Sequence, residues 1–336
     1  MVILGIESTA HTFGIGIVKN GKILSNAKDA YTTEKGGIIP VESAKHHENV
    51  KEQIYNDALK SAGINEEDID AIAFSQGPGL SPCLLVGKRF SKYLACKLNV
   101  PLVPTNHCIA HLEIGRITGA KDPLLLYVSG ANTQVIAYAS GKYRIFGETL
   151  DLGVGNFIDT FAREAGMGFP GGPKIEALAL KGREFIELPY SVKGMDISLS
   201  GIQTNLKQKL KSKKYRIEDL SFSLQETVFA MLVEVAERAL AHTGKKELVL
   251  GGGVACNSRL QEMCKIMCSN RLGKDKTKFF VPERSLLVDN GAMIAYLGEI
   301  MFNKKVSSVA KPRTKEFEDL DIAPRQRTDD IKVSWR

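Results

Sequence analysis

A chain of 336 residues with 43% hydrophobic and 25% charged side chains is longer than one hydrophobic core usually supports, and its composition excludes a disordered or collagen-like polymer. No apolar run reaches membrane-spanning length, and Met1–Ile6 reads as a strand instead of an export signal, so a cytoplasmic protein of two lobes with no membrane contact is expected. Lys and Arg outnumber Asp and Glu by 45 to 38, a net charge of +7 that suits an anionic partner such as RNA without specifying one. The six cysteines, Cys83, Cys96, Cys108, Cys256, Cys264 and Cys268, follow no disulfide-scaffold or C-x-x-C spacing, and reduced thiols are the expectation.

In chain order, strands at Val2–Ile6, Phe13–Lys19 and Lys22–Asp29 are joined by a polar turn and by Asn20-Gly21, a dipeptide that favours a tight hairpin. Helical spacing of apolar residues follows at His46–Ala62 and Leu84–Leu98, with a buried-strand run Ala71–Ser75 and the turn Gln76-Gly77-Pro78-Gly79 between them. The meander then recurs as Leu124–Val128, Thr133–Tyr138 and Tyr143–Thr149, an internal duplication of topology. Further helices are expected at Ser223–His242, Ser258–Cys268 and Asn290–Phe302, and a strand at Glu247–Leu250. After Lys311 the chain is rich in charge and proline and is expected to wrap over the surface. Two similar α/β lobes with a ligand cleft between them account for this pattern.

His107 and His111 stand at i and i+4 behind Asn106, a good N-cap, so both imidazoles leave one helix face and can share a metal. Asp289 has two readings, N-cap of the next helix or third ligand. Two histidines and a carboxylate would leave coordination positions open, the mark of a catalytic site. Gly251-Gly252-Gly253, after a strand and before a helix, is suited to a phosphate or adenosine. Phe169-Pro170-Gly171-Gly172-Pro173 offers backbone amides, with Glu176 one turn on and able to bind ribose hydroxyls, or is a plain turn capped by a helix. Asp159 is a ribose or magnesium contact or a solvated helical carboxylate. Lys207, Lys209, Lys211, Lys213, Lys214 and Arg216 form a basic run, equally a phosphate-contacting tract or a solvated hairpin tip.

Six blocks in order along the chain carry a resemblance: Gly5-Ile6-Glu7-Ser8-Thr9-Ala10-His11-Thr12, Asn106-His107-Cys108-Ile109-Ala110-His111, Tyr127-Val128-Ser129-Gly130-Ala131-Asn132-Thr133-Gln134, Phe169-Pro170-Gly171-Gly172-Pro173, Gly251-Gly252-Gly253-Val254-Ala255-Cys256-Asn257 and Asp289-Asn290-Gly291-Ala292-Met293. Together they resemble the universal tRNA threonylcarbamoyltransferase family. Val192-Lys193-Gly194-Met195-Asp196 and the segment from Arg327 to Arg336 look like its archaeal and eukaryotic branch, which works in the KEOPS complex. Ala131 departs from the family, which usually has a second glycine there.

The resemblance implies a two-lobed actin/Hsp70/sugar-kinase-like α/β ATPase fold, with residues 1–115 and 289–336 in one lobe and 116–288 in the other. It implies one divalent metal, iron or zinc, on His107, His111 and Asp289 with Tyr127 nearby, the first three being catalytic. It implies an ATP- or AMP-type nucleotide, or threonylcarbamoyl-AMP, at Ser129, Gly130, Asn132, Asp159, Gly172, Glu176, Gly252 and Asn257. The family moves threonylcarbamoyl from its adenylate to N6 of the adenosine 3′ to the anticodon, in tRNAs reading codons that start with A. Expected partners are tRNA and KEOPS subunits, including a small kinase on a separate chain. The competing readings are a nucleotide-switched actin- or Hsp70-like scaffold, a small-molecule kinase, and a metallopeptidase. The last lacks the glutamate that zinc peptidases carry beside the first histidine, a position held here by Cys108.

Overall fold

Asn20 and Gly21 both adopt positive φ, 51° and 76°, and turn the chain tightly enough for β2 (Thr12–Lys19) to pair antiparallel with β3 (Lys22–Ala30). β1 (Val2–Glu7) pairs antiparallel with the other side of β2. The computed structural model describes residues 1–34, 36–306 and 308–336. In it α1 (Pro40–Ala62), β4 (Ala71–Gly77), α2 (Ser81–Leu98) and β5 (Leu102–Asn106) follow, β4 and β5 adding in parallel to give the five-stranded order β3-β2-β1-β4-β5. α3 (His107–Gly115) leads away from this sheet.

The same order then repeats. β6 (Leu124–Val128), β7 (Thr133–Ala139) and β8 (Lys142–Glu148) form a second meander, whose tight turn again uses two residues of positive φ, Ser140 and Gly141. After α4 (Val154–Glu164), α5 (Gly172–Ala179), the short hairpin β9 (Val192–Lys193) and β10 (Asp196–Ile197), α6 (Ser200–Ser212) and α7 (Ile217–Thr243), strand β11 (Glu247–Gly251) joins β6 in parallel. α8 (Ser258–Asn270) and β12 (Lys278–Phe280) complete a sheet ordered β12-β11-β6-β7-β8, and α9 (Arg284–Leu287), α10 (Gly291–Asn303) and α11 (Lys315–Glu318) follow. The duplication read from the hairpins is therefore a duplication of whole five-stranded sheets.

Helix α6 was not foreseen, and α4 and α5 entered only as alternative readings, the helical one of Asp159 and a helix after the Pro170–Pro173 turn. Gly153, Gly155 and the Pro170–Pro173 segment weaken the local helical signal, and burial of Phe157, Phe161, Ile175, Ile202 and Leu206 in the core beneath the second sheet outweighs it.

α3 and α10 lie between the two sheets. A single core joins Ile3, Ala71 and Val103 of the first sheet to Leu125, Tyr127 and Val249 of the second through Cys108 and Leu112 of α3 and Met293, Ile294 and Leu297 of α10. Glycine makes the closeness possible: a Cβ on Gly16 would stand 2.1 Å from Ala292 N, and one on Gly5 2.1 Å from Ala295 N. The first turn of α10 is thus pressed onto the backbone of β1 and β2, which fixes the residue just ahead of it, Asp289.

The segment after Lys311 does wrap, and it ties the halves together. Ala323 N donates to Gln76 O at 2.8 Å beside the first sheet. Further on, Trp335 is buried against Tyr143 of β8, and Arg336 Nε pairs at 3.1 Å with the fully buried Glu113 of α3. Trp335→Ala is expected to cost about 3 kcal/mol through the cavity it leaves. A chemical-denaturation midpoint unchanged by the substitution would show that this anchor contributes nothing.

Candidate metal and nucleotide site

β5 ends at Asn106, whose side-chain oxygen accepts from Ile109 N at 3.0 Å and starts α3 as the sequence suggested. Every residue of α3 is buried, so His107 and His111, one turn apart with ring centroids 4.8 Å from each other, are held inside the protein. Asp289 faces them. Its capping reading fails, because Asn290 is the N-cap of α10 and accepts from Met293 N at 2.9 Å. The Asp289 carboxylate is free to approach His111 Nε2 at 3.3 Å and His107 Nε2 at 3.4 Å. One donor atom from each of His107, His111 and Asp289 lies within 4.8 Å of the others, and the Tyr127 hydroxyl on β6 is 3.0 Å from His107 Nε2.

Glu7, at the end of β1, is the residue that sequence reasoning passed over. It is fully buried; its Oε2 accepts from His107 Nδ1 at 3.0 Å, while Oε1 accepts from Thr9 N at 2.7 Å and from the Thr9 hydroxyl. That bond fixes the His107 ring and turns Nε2 toward Asp289. A glutamate closing an otherwise apolar strand, directly before Ser8-Thr9, was the available signal. The Nδ1 of His111 is buried without a hydrogen-bond partner among the described residues, so only one of the two rings is oriented from behind.

Burial disfavours a charged His107, but the Tyr127 oxygen, Glu7 and Asp289 outweigh it and hold the imidazole pKa well above its usual value. Burial lowers that of His111. Burial alone would raise Asp289, yet the charge on His107 and hydrogen bonds from both histidines hold its carboxyl well below the usual range. Two imidazole nitrogens and a carboxylate oxygen thus converge in surroundings that favour positive charge. The donor set fits a divalent cation, which would find open positions beyond its three protein donors. Glu7→Gln, which exchanges the strongest acceptor behind His107 for an amide, is expected to weaken metal affinity about 10- to 100-fold in a chelator-competition titration. Unchanged affinity would show that Glu7 does not orient the ligand.

The glycine run adjoins this centre. A Cβ on Gly251 would stand 3.5 Å from His111 Cβ, and Gly252, with φ +91°, brings its Cα so close that a Cβ would lie 2.4 Å from Val128 O. Next to Val128 the turn Ser129–Asn132 closes through Ser129 N donating to Asn132 O at 2.9 Å, and α4 is seated on it by Gly155 N and Asn156 N donating to Ser129 O and Gly130 O. Ala131 is not among the residues of positive φ, so its side chain causes no strain here. Asp159 of α4 accepts from Gly171 N at 2.7 Å, and burial raises its pKa. This carboxylate is partly enclosed, unlike a solvated helical one.

Glu176 and Asn257 are already engaged. Glu176 Oε1 accepts from both N and Oγ of Ser258 at 2.8 Å, and Asn257 caps α8 through Arg259 N while donating to Gln225 Oε1 at 2.8 Å. The Glu176 bonds join α5 to α8 beside Gly172, and the Asn257–Gln225 bond ties α8 to α7. Ser129, Gly130, Asn132 and Gly252 thus gather at the end of β6 next to Tyr127, Asp159 and Gly172 meet at the α4–α5 turn, and Glu176 meets the Asn257–Ser258 corner. The basic run spans the end of α6 and the exposed connection to α7: Lys207–Ser212 closes α6, Lys213 caps it with φ 54°, and Lys214 and Arg216 lie on the tip between the two helices, while Lys207 pairs with Glu164 at 2.8 Å and Lys209 Nζ lies 5.6 Å from the Tyr215 ring centre.

Two duplicated meander sheets with two helices between them and a ligand centre at their junction define an actin/Hsp70/sugar-kinase-like ATPase fold. The activator of 2-hydroxyisocaproyl-CoA dehydratase from Clostridium difficile with bound ADPNP shares it, with TM-score 0.56, 13% identity and coverage of 94% of this chain and 100% of that one. So does HypF of T. kodakarensis, with TM-score 0.64, 14% identity and coverage of 90% and 48%. Within that fold the chain belongs to the TsaD family, tRNA N6-adenosine threonylcarbamoyltransferase, whose model matches residues 22–296. A tRNA N6-adenosine threonylcarbamoyltransferase of Thermococcus kodakarensis is 57% identical over 335 residues, 100% of both chains. A probable bifunctional tRNA threonylcarbamoyladenosine biosynthesis protein of Methanosarcina mazei is 50% identical, matching 99% of this chain and 59% of the relative.

Proposed function

We propose that this enzyme transfers the threonylcarbamoyl group from threonylcarbamoyl-AMP to N6 of the adenosine 3′ to the anticodon, in tRNAs that read codons starting with A, and releases AMP. The observation that carries the proposal is the convergence of His107, His111 and Asp289 beside the Gly251–Gly252 corner, in a chain of this family. The cleft lies between a lobe of residues 1–115 with 289–336 and a lobe of 116–288.

One divalent cation, iron or zinc, would be held by His107, His111, Asp289 and Tyr127, and when bound it would supply Lewis acidity at the carbamoyl carbonyl or the adjoining phosphate. The Ser129–Asn132 turn, Gly172 and Gly252 present backbone to the phosphate. Asp159, Glu176 and Asn257 face the nucleoside, Glu176 exchanging its Ser258 hydroxyl for a ribose hydroxyl. The Lys207–Arg216 tract and the net charge of +7 favour tRNA. The enzyme works in the cytoplasm within KEOPS, with the small kinase on another chain; no helix of the described residues is long and apolar enough to cross a membrane.

A peptidase would need a general base beside the metal. Cys108 follows His107 and is buried, and Glu7 spends both carboxylate oxygens on His107 and Thr9. The function is tested by incorporation of labelled threonylcarbamoyl from the adenylate into tRNA, in the presence of partner subunits, with and without a chelator. Incorporation abolished by the chelator and restored by a divalent metal is expected; incorporation indifferent to metal would contradict the role given to the centre.

A further inference from the structure

On β3, Lys28 pairs with Gly14, and the missing side chain at Gly14 opens a path from β3 to the start of α10. A Cβ on Gly14 would lie 3.0 Å from Gly291 N and 3.4 Å from Lys28 Cβ. The Lys28 ammonium follows that path and donates to Ser285 O at 3.0 Å. Asn26, on the same face of the strand, donates to the same carbonyl at 3.4 Å and accepts from Ala292 N at 3.4 Å. Lys28 is thereby set against the segment that carries Asp289, within electrostatic reach of Asp289 and Cys256.

The charge there is uncompensated. Among the described residues no carboxylate comes within ion-pairing distance of Lys28 Nζ, whose one protein partner is a neutral carbonyl. Burial lowers the lysine pKa against the more distant pull of Asp289 and Cys256, and burial also keeps the Cys256 thiol neutral. A partly desolvated ammonium with one bond made retains two N–H donors and lacks an anion. Arg284 adds a second positive charge acting on Cys256 from α9. A tRNA backbone does not reach so recessed a cation, whereas a small anionic ligand fits it.

We propose that Lys28 binds the anionic part of the acyl-adenylate, its phosphoryl group or its threonyl carboxylate, and so sets the donor's position beside the metal residues. This rests on the function proposed above. The test uses the full chain with its metal content measured, in the wild type, Lys28→Met and Lys28→Arg, titrated calorimetrically with adenosine, AMP and a non-hydrolysable analogue of threonylcarbamoyl-AMP. Lys28→Met is expected to bind the analogue about 10- to 100-fold more weakly, with metal content and adenosine affinity unchanged, and Lys28→Arg to recover most of the loss. An equal loss for AMP assigns the phosphoryl group, and unchanged AMP affinity assigns the carboxylate. Analogue affinity undiminished in Lys28→Met, or a loss that tracks missing metal, would overturn the proposal. A wild type that binds none of the three ligands would instead overturn the functional reading on which it rests.

Discussion

His111→Ala is expected to lower the rate of threonylcarbamoyl transfer about a thousandfold, the scale of losing an electrostatic centre at the reacting group. His111 is fully enclosed, its Nε2 is 3.3 Å from Asp289 Oδ1, and it packs between His107 and Tyr127. Alanine removes one of three converging donors and leaves the Asp289 carboxylate with a single histidine. Divalent metal retained after dialysis should fall in parallel with the rate. The cavity also costs stability, roughly 2–4 kcal/mol by analogy with other buried large-to-small changes, so the rate is measured where circular dichroism shows the variant folded. A folded His111→Ala protein with full metal and full rate would remove the centre from the mechanism.

Gly16→Ala is expected to be strongly destabilising, costing at least about 3 kcal/mol. Its Cβ would stand 2.1 Å from Ala292 N and 2.3 Å from Ala292 Cα, both backbone atoms that no rotamer change can clear. α10 must move off the sheet, and Asp289 moves with it, so metal affinity should fall together with the denaturation midpoint. Gly201→Ala is the control. It sits in the first turn of α6 with nothing within 4 Å of the new Cβ, and helix propensity predicts a neutral or slightly stabilising change. Equal midpoints for the two variants would show that backbone contact at Gly16 does not set the position of α10.

The histidine pair was legible because its signal is local. An i, i+4 histidine pair behind an asparagine cap projects from one face whatever surrounds it, and the structure keeps both the cap and the pair. The meanders were legible for the same reason, since Asn20-Gly21 and Ser140-Gly141 specify their own turns. Asp289 was ambiguous in sequence because aspartate and asparagine cap helices alike; only the fold shows the cap one residue later, at Asn290.

Glu7 was invisible as a site residue because its partner, His107, is 100 residues away in sequence and comes to it across the β1–β4–β5 sheet. Lys28 escaped for a like reason, its relation to Asp289 depending on the absence of a side chain at Gly14 and on the docking of α10. Glu176 and Asn257 were read as groups free for a nucleotide, yet Glu176 binds the start of α8 and Asn257 caps α8 and bonds Gln225 of α7, engagements that spacing alone does not disclose. The burial of Trp335 and Arg336 against β8 and α3 is likewise a long-range contact, which the local charge and proline content of that segment suggested only as wrapping.

The central claim is that this chain forms threonylcarbamoyladenosine through the centre built by His107, His111 and Asp289. It is tested most directly by nucleoside mass spectrometry of an unmodified tRNA incubated with threonylcarbamoyl-AMP, the partner subunits and either the wild type or His107→Ala. Threonylcarbamoyladenosine with the wild type and little or none with His107→Ala is the predicted result. Its absence with the wild type, when the complex has assembled and the adenylate has survived, or its equal formation by both proteins, would contradict the account.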